Sequence, residues 1–333
     1  MDLNTFWFVL IAILFAGFFF LEGFDYGIGI LLPFVSDRDT ERRLVINSIG
    51  NVWDGNEVWL IGAGGAIFAA FPLWYSTLFS SFYMALVFIL LALGLRGISI
   101  ELRSKSKFRR WRAFYDICLF ISSSILAILW GVFVGNIIRG LPIAEGIYMG
   151  NFFSLLNIYS LISGILFLLI FAYHGAVFLR IKIDQTSSVW YSVNNLIPQL
   201  HRITSIWFLF FVLITIYEAK LIQSPMAFSM FAVGFALFVL SGISQKRNKL
   251  AFLLCGLSII ITTLAVFVHS YPHTLISNLY AEWSLTIYNS CSSQYSLKIM
   301  MIIAVILVPI IIIYQAASYY LFRKRLTAKD LKY

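Results

Sequence analysis

The chain has 333 residues, of which 61% are hydrophobic and 12% are charged. Soluble domains carry roughly 25% charged residues, whereas this chain repeats apolar runs of about 20 residues or more. Composition therefore excludes a soluble protein and predicts an all-α polytopic membrane protein. The formal net charge of +9 does not indicate nucleic-acid binding, because the basic residues lie in short loops between apolar runs, where they set membrane orientation.

Processing, disulfide and metal-binding signals are absent from the sequence. The first apolar run is far longer than a signal-peptide core and follows Asp2 instead of a basic patch, so no cleavable signal is expected. Cys118, Cys255 and Cys291 are scattered without a CxxC pair, which predicts neither a disulfide framework nor a metal site. No P-loop, HExxH or GxSxG motif occurs.

About nine membrane spans are predicted, in a single integral membrane domain that covers residues 1–333. Spans one to four and five to eight have similar organisation, and FDYG at 24–27 corresponds to AYHG at 172–175. This indicates a weak internal repeat, and chance similarity between apolar helices is the alternative. The predicted spans are Phe6–Phe34, Leu44–Phe71, Leu73–Ile98, Phe114–Ile138, Phe152–Leu179, Ile203–Ala219, Met226–Ile243, Leu250–His269 and Leu297–Phe322.

Loops rich in basic residues alternate along the chain with loops that hold few of them. The loops that follow the odd-numbered spans hold 20 of the 24 Lys and Arg residues, whereas the opposite loops hold only Arg139 and Lys220. By the positive-inside rule the N-terminus is outside and the C-terminus is cytoplasmic. The longest outer loop, Ser270–Tyr295, is too long for a simple turn and is expected to cap the outer surface or to contact a partner.

The most informative stretch is GNVWDGNEVWLIGAGGAIFAAFP at 50–72. Asp54 and Glu57 stand at its head, and residues three apart lie on one helix face, so the two carboxylates are expected to point the same way. Downstream, Gly62 and Ala66 belong to a small-residue stripe on which a neighbouring helix can pack closely. Carboxylates within a membrane segment indicate function; the alternative is that both acids cap the helix at the water interface.

Span one carries a second acidic motif, LEGFDYGIG, in which Gly23 and Gly27 form a GxxxG pair suited to close helix packing. Asp25 lies about nine residues, or roughly 14 Å, from the cytoplasmic end of its span. Asp54 lies roughly 15 Å from the same side. The two motifs are therefore expected at similar depth.

Two further charged residues share the inner half of the membrane. Arg96 ends span three and Asp116 begins span four, whereas the outer halves of these spans are almost free of charge. Arg96 is the only basic residue at the depth of Asp25 and Asp54, which makes it their expected counter-charge. For Asp116 the alternative is an ordinary (i, i+4) pair with Arg112.

Inner-half carboxylates with one counter-charge suit proton uptake from the cytoplasm. The predicted proton-transfer residues are Asp54, Asp25, Glu57 and Asp116, with Arg96 as their charge partner. The carboxylates end near mid-membrane. This favours delivery of protons to an internal consumer, a group within the membrane that takes them up, and not a proton channel across the bilayer. The consumer is not visible in this chain, because only His174 of the four histidines lies within a span and a membrane haem needs ligands at matching depths. The residues alone indicate a helper subunit or a proton-coupled secondary transporter.

Four stretches resemble subunit II of cytochrome bd-type quinol oxidases. They are EGFDYGIGIL, the TERR loop followed by INS, the WDGNEVWL–AGGAIFAAFP run and WSLTIYNSCSSQYSL. The resemblance covers the chain from end to end, and the WDGN–VWL–AGGA–FAA–P pattern is highly specific. The short chain is most similar to the compact, cyanide-insensitive branch of the family.

The resemblance implies two four-helix bundles plus one peripheral helix, in a heterodimer with a haem-bearing subunit I in the bacterial cytoplasmic membrane. Subunit I would hold the b-type haems, haem d and the quinol site, and the complex would oxidise quinol and reduce O₂ to water with cytoplasmic protons. This chain is expected to bind no haem and no metal, although some members hold a structural quinone in subunit II. A small single-span subunit is a further candidate partner.

The resemblance also assigns roles to residues. Asp54 matches an aspartate proposed to pass protons towards the haem site, whereas family members with Gln at the position of Glu57 weaken an essential role there. Glu22 replaces an Asp of some members and keeps the charge. Other charged family positions are matched by Asp25, Arg96 and Asp116.

The transporter alternative is weaker than the oxidase interpretation. Transporters usually place their sites at discontinuous helices in both repeats, whereas the intramembrane charges here cluster in the first half. A haem-ligating subunit is a third alternative, and the histidine count opposes it. The sequence therefore favours an accessory subunit of a quinol oxidase.

Overall fold

The computed structural model describes residues 2–331, and this part of the chain is mostly helical. Helices follow from the apolar runs, because a segment within a bilayer must satisfy its backbone hydrogen bonds internally. The α-helices are α1 (Leu3–Val35), α2 (Asp39–Asn47), α3 (Trp53–Ala70), α4 (Pro72–Ser81), α5 (Tyr83–Arg103), α6 (Arg109–Arg139), α7 (Ile158–Lys182), α8 (Ser188–Glu218), α9 (Pro225–Ile243), α10 (Asn248–Ser270) and α11 (Gln294–Leu321).

Eight of these helices, α1 and α5 to α11, are long and apolar enough to cross a membrane. The all-α polytopic prediction is therefore confirmed. The predicted second span, Leu44–Phe71, is interrupted: α2 ends at Asn47, residues 48–52 form a turn, and α3 begins at Trp53. The apolar pattern hid this break because Leu44 and the two residues that follow it are buried in α2.

Other predicted boundaries also shift. The predicted third span, Leu73–Ile98, is divided at Phe82 into the short α4 and the long α5. The sixth span begins at Ser188 instead of Ile203, because the polar start of α8 continues the helix beyond the apolar run. A polar N-cap fixes the start of α7, where the Asn157 side chain accepts a hydrogen bond from a backbone amide.

The membrane helices form two groups of four and one outlier. Helices α1, α3, α5 and α6 pack together, as do α7 to α10, and the two groups meet where α1 and α6 contact α7 and α10. Helix α11 lies outside both groups against α1 and α3, and only Leu297 and Gln315 of it are buried. This arrangement agrees with the expected two bundles and one peripheral helix.

Helices α1 and α7 cross at a glycine contact. A Cβ added to Gly27 would lie 1.9 Å from the backbone oxygen of Phe171, and one added to Gly175 would lie 2.6 Å from the carbonyl carbon of Gly27. A Cβ on Gly23 would lie 2.8 Å from the Phe171 ring. The FDYG and AYHG motifs thus meet at the junction of the two bundles, and the internal repeat that they suggested stays a prediction.

One end of the bundles is closed by two short hairpins. Strands β1 (Ile143–Ala144) and β2 (Ile147–Tyr148) are antiparallel and pair Ile143 with Tyr148. Strands β3 (His273–Leu275) and β4 (Leu285–Thr286) are also antiparallel, with Leu275 opposite Leu285.

The Ser270–Tyr295 loop holds this closed end together. The Asn4 side chain of α1 donates to the Ile287 carbonyl at 2.8 Å, and the Ser292 amide donates to the Ala70 carbonyl at the end of α3 at 2.9 Å. The loop therefore caps the bundles, as one of the two sequence-based alternatives expected.

The loops that are rich in basic residues lie at the opposite end of the bundles. The Ser188 hydroxyl at the start of α8 donates to Glu41 of α2 at 2.6 Å, and a parallel bridge joins Ile183 to Leu326. Partial burial acts to raise the pKa of Glu41, but hydrogen bonds from Ser188 and from the amides of Arg38 and Asp37 outweigh it and hold that pKa below its usual value. Loops from both bundles thus meet at one end.

Candidate functional site

A buried arginine lies at the centre of the first bundle. The Arg96 guanidinium of α5 lies 3.0 Å from Glu22 and 3.8 Å from Asp25, both on α1, and 2.8 Å from Glu57 on α3. Arg96, Glu22 and Asp25 are fully buried, whereas Glu57 is 24% exposed. We call these four residues together with Asn56 the Arg96 cluster. The expected pairing of Arg96 with Asp25 is present, and Glu22 is an additional partner.

Aromatic rings line the guanidinium on two further sides. The Arg96 Cζ lies 4.8 Å from the centroid of the Tyr26 ring and 5.8 Å from that of Trp53. An arginine over an aromatic face gains a further attraction, which is stronger where water is excluded. The rings thus fix the position of the guanidinium between the three carboxylates.

Asn56 links the cluster to the peripheral helix. Its side-chain amide donates to Asp25 Oδ2 at 2.6 Å, and its Oδ1 accepts from Gln315 Nε2 at 2.7 Å and from the Tyr319 hydroxyl at 2.8 Å. Gln315 and Tyr319 are one turn apart on α11. Helix α11 is therefore held to the first bundle by polar contacts that begin at Asp25.

Several charged atoms of the cluster have no hydrogen-bond partner within the described part of the chain. They include both carboxylate oxygens of Glu22, Oδ1 of Asp25, and Nε and Nη2 of Arg96. A buried polar atom without a partner costs free energy, so an unpartnered carboxylate oxygen is a place where a proton or a water molecule binds favourably. Of these atoms, Glu22 Oε2 and Arg96 Nη2 still lie within ion-pair distance of the cluster, so Glu22 Oε1 and Asp25 Oδ1 are the carboxylate oxygens among them with neither kind of contact in the described structure.

Asp116 lies in a different group of charges. Its carboxylate accepts from Arg103 Nε at 2.6 Å and lies 2.9 Å from Arg42 Nη1. Arg112 pairs with Asp39 at 2.6 Å instead. The Arg112–Asp116 pair considered from the sequence is therefore wrong, because the guanidinium groups of Arg42 and Arg103 reach Asp116 from α2 and α5.

Asp54 does not join the Arg96 cluster directly. Its side chain is exposed on α3, and its Oδ1 accepts a hydrogen bond from the Gly55 amide at 2.8 Å. Glu57 points inwards to Arg96, so the expectation that the two acids point the same way is wrong. Three residues rotate a helix by about 300°, which leaves the two side chains roughly 60° apart. At the edge of the buried face of α3, this difference is enough to expose Asp54 while Glu57 faces the bundle interior.

The small-residue stripe of α3 is exposed only at its Gly62 end, because Ala70 at the other end is fully buried. Gly62 and Gly65 are exposed, and a Cβ added to either would meet no atom within 4 Å in the described structure. Ala66 is partly buried, and Ala63 of the opposite face packs in the core. Close packing on Gly62 is thus available only to a helix from outside the chain.

Sequence reasoning missed the amide and phenol that complete the site. The sequence assigns no role to Asn56, although it lies in the WDGN motif, and none to Gln315 or Tyr319 of the last span. A signal was present: Gln315 is an amide inside a long apolar run, and a polar residue in such a position usually faces protein.

His174 has no partner that would make a haem site. Its Nε2 lies 3.1 Å from the Phe20 carbonyl, and its ring stacks on Phe252 with 4.6 Å between centroids. Among the residues that the structure describes, no group of three or more His, Cys, Asp or Glu residues could hold a metal ion.

An apolar cavity lies between the two bundles, towards the capped end. Aromatic side chains from both bundles line it, including Phe15, Phe133, Phe171 and Phe231. Its volume of about 70 Å³ is well below the roughly 300–1,000 Å³ of ordinary small-molecule sites. The cavity is therefore too small for a quinone headgroup without rearrangement of its walls.

Comparison with known proteins identifies the family. The sequence model of the family described as cytochrome bd terminal oxidase subunit II matches residues 3–322. The chain is 35% identical over 336 residues to cytochrome bd ubiquinol oxidase subunit 2 of Bacillus subtilis, with 99% of this chain and 98% of that protein covered. It is 31% identical over 376 residues to cytochrome bd-I ubiquinol oxidase subunit 2 of Escherichia coli K12, with 99% and 97% covered.

The fold is also that of a solved oxidase. The structure of the bd oxidase from Geobacillus thermodenitrificans contains a chain that superposes with a TM-score of 0.75 at 16% identity, with 97% of this chain and 100% of that chain covered. The fold, the end-to-end match to the family model and the identity to the two relatives agree. The chain belongs to the cytochrome bd terminal oxidase subunit II family.

Proposed function

We propose that the chain supports a haem-bearing subunit I in oxidising quinol and reducing O₂ to water, and that it contributes a path for proton uptake from the cytoplasm. Its relatives are named as subunits of ubiquinol oxidases. The observation that carries the proton-path proposal is the Arg96 cluster, in which three carboxylates surround one guanidinium inside a membrane bundle.

The charge balance of the cluster explains why it would hold protons. Three ionised carboxylates and one arginine leave a net charge of −2 in a region that excludes water, and like charges at close range disfavour full ionisation. Protons in the cluster therefore belong to the coupled set and not to one residue. Such a set can accept and release a proton with little movement of its helices.

We assign different parts to the four acids. Asp25 and Glu57 would hold protons within the cluster, and Glu57 would also connect it to the surface, because it is partly exposed. Asp54, exposed on the outer face of α3, would pass protons to subunit I. Asp116 is held by two arginines and would join α2, α5 and α6 without carrying protons.

The outer face of α3 supports this assignment. Asp54 shares the exposed surface of α3 with Gly62, Ile61 and Phe68, and the last two are 72% and 61% exposed. Small and apolar residues on a membrane helix suit close contact with another helix. We propose that subunit I packs on this face, which would bury Asp54 at the contact between the subunits.

We also propose that the end with the basic loops faces the cytoplasm. The positive-inside rule supports this orientation, and it places the capped end and the N-terminus outside. We further propose that haem is confined to subunit I. The His174 ring is stacked on Phe252 and its Nε2 lies at hydrogen-bond distance from the Phe20 carbonyl, which supports this proposal. A bound structural quinone and a small additional subunit stay predictions. No structural feature described above favours the transporter alternative.

The visible absorption spectrum tests the role of the chain. We expect the tagged chain expressed alone to show no haem absorption, and the complex co-purified with subunit I to show it, because this chain offers no pair of haem ligands at one depth. Stoichiometric haem on the isolated chain would favour the haem-ligating alternative.

Cysteine labelling in intact cells tests the orientation. Glu282→Cys lies in the exposed part of the cap and Ala328→Cys lies near the C-terminal end; with Cys291→Ser, we expect an impermeant thiol reagent to label the first and not the second. The buried Cys118 and Cys255 serve as an internal control for unfolding. The reverse labelling pattern would invert the orientation.

Turnover per haem tests Asp54. We expect Asp54→Asn to lower quinol-dependent O₂ consumption tenfold or more, equivalent to about 1.4 kcal/mol or more in the limiting barrier, with normal haem content because the side chain has only a local hydrogen bond. Asp54→Glu should retain part of the activity. Glu101→Gln, at an exposed (i, i+4) pair with Lys105, is the matched control. Normal turnover per haem in Asp54→Asn would remove Asp54 from the path.

Thermal stability tests Arg96. Arg96→Leu leaves buried carboxylates without a counter-charge, which costs about 3–5 kcal/mol before protonation relieves part of it, whereas Arg96→Lys keeps the charge. We therefore expect Arg96→Leu to lower Tm and haem yield of the complex more than Arg96→Lys. Equal values for the two variants would show that the cluster does not depend on this charge.

A further inference from the structure

A third buried arginine differs from the other two. Arg96, Arg103 and Arg180 are the arginines with less than 5% exposure among residues 2–331. Arg96 and Arg103 each contact carboxylates, whereas no carboxylate of the described chain lies within 4.0 Å of Arg180. A buried charge without an opposite charge is costly, so this site lacks a negative partner.

Neutral groups satisfy Arg180 only in part. Nη1 donates to Asn194 Oδ1 at 3.3 Å and Nη2 donates to the Gln245 carbonyl, whereas Nε has no hydrogen-bond partner in the described structure. Arg180 also lies near the C-terminus of α7, where the helix dipole offsets roughly half a unit charge within the last turn. Arg180 thus has no full opposite charge, and its Nε–H has no hydrogen-bond partner in the described structure.

The acidic side chains at this end of the molecule that are described here, Asp184 and Glu41, bond to other groups. Asp184 follows Arg180 by four residues, but its Oδ1 accepts from the amide and the hydroxyl of Thr186, at 2.9 Å and 2.6 Å. Glu41 accepts from Ser188 across the same end of the molecule. The missing negative charge therefore comes from neither of these two acids.

Arg180 lines an open cavity of about 370 Å³ at the basic end of the second bundle, most of whose lining residues are polar or charged. The end of α7, the start of α8 and the α9–α10 loop form its walls. The other lining residues are Gln185, Trp190, Asn194, Pro198, Gln245, Lys246 and Asn248.

The lining suits an oxyanion. Lys246 supplies a second positive charge without a carboxylate within 4.0 Å in the described chain, and Gln185, Asn194 and Asn248 carry side-chain amides that can donate hydrogen bonds. An arginine and a lysine beside amide donors match the charge and the several acceptor oxygens of a phosphate group. Basic pockets between membrane helices at the polar boundary bind the headgroups of anionic lipids.

We propose that the Arg180 cavity is a binding site for a phosphate-bearing anion, supplied by an acidic phospholipid of the adjoining leaflet or by soluble phosphate. The bound phosphate lies between Arg180 and Lys246 and provides the negative charge that the chain lacks. It joins α7, α8 and the α9–α10 loop at a corner where no ion pair does so. This site is separate from the Arg96 cluster and does not depend on proton transfer there.

The test uses the two-subunit complex, delipidated in a neutral detergent. Dioleoyl phosphatidylglycerol, dioleoyl phosphatidylcholine and inorganic phosphate are each titrated while Tm is followed, and native mass spectrometry counts the retained phosphatidylglycerol. We expect phosphatidylglycerol to raise Tm at lower concentration than phosphatidylcholine. Protection by inorganic phosphate at similar occupancy would assign the site to the soluble anion.

Matched variants locate the effect. Lys246→Gln removes an exposed charge without disturbing the core, and it should raise the half-saturating concentration of phosphatidylglycerol about fivefold; Arg180→Gln should raise it tenfold or more, and Arg180→Lys should restore part of the binding. Lys249→Gln, an exposed lysine of the same turn that does not line the cavity, should change it less than twofold. Turnover per haem of Lys246→Gln should equal that of the unaltered complex, which separates this site from the proton path.

The proposal would be overturned if the substitutions had no effect. In that case the half-saturating concentration of phosphatidylglycerol, and likewise that of phosphate, would be the same in the unaltered complex, Lys246→Gln and Arg180→Gln. The same holds if Lys249→Gln weakens binding as much as Lys246→Gln, because that result would indicate general attraction to a basic surface and not a site.

Discussion

The first bundle depends on one guanidinium. Arg96 is fully buried, and it is the point at which α1, α3 and α5 share charge through Glu22, Asp25 and Glu57. Replacing such a group with an apolar residue leaves carboxylates that must protonate or find water, whereas removing one acid leaves the others better balanced. The arrangement is thus asymmetric: the bundle tolerates the loss of a negative charge more easily than the loss of the positive one.

The fold was largely predictable because the bilayer restricts the choices. A run of 20 apolar residues has to be helical in lipid, so eight of the nine expected spans are present as long apolar helices. The two bundles and the peripheral helix followed from the family resemblance and not from the apolar runs. The break at 48–52 was not predictable, because α2 buries its apolar residues against protein and extends the hydrophobic pattern across the turn. Composition reports burial, and it does not distinguish burial in lipid from burial in protein.

The site was predictable in its acids and in Arg96, but not in its partners. Depth along a helix follows from sequence, so Asp25 and Arg96 could be placed together. The rotation of a helix about its axis does not follow from sequence. For this reason the separation of Asp54 from Glu57 was not predicted, and neither was the pairing of Asp116 with Arg42 and Arg103. Asn56, Gln315 and Tyr319 form contacts across more than 250 positions of the chain, beyond the reach of any local pattern.

These long-range contacts can form only after the last part of the chain has been synthesised. Gln315, which donates to Asn56, lies 259 residues later in the chain. At about 5–20 residues per second, synthesis of the intervening segment takes roughly 13–52 s. Asn4 likewise accepts one hydrogen bond from Gln294 and donates one to the Ile287 carbonyl. Until α11 is inserted, two amides in the first and third helices lack these partners. The last helix therefore supplies the final partners, and a chain that stops short of it leaves Asn56 Oδ1 without the two donors that it has in the complete first bundle.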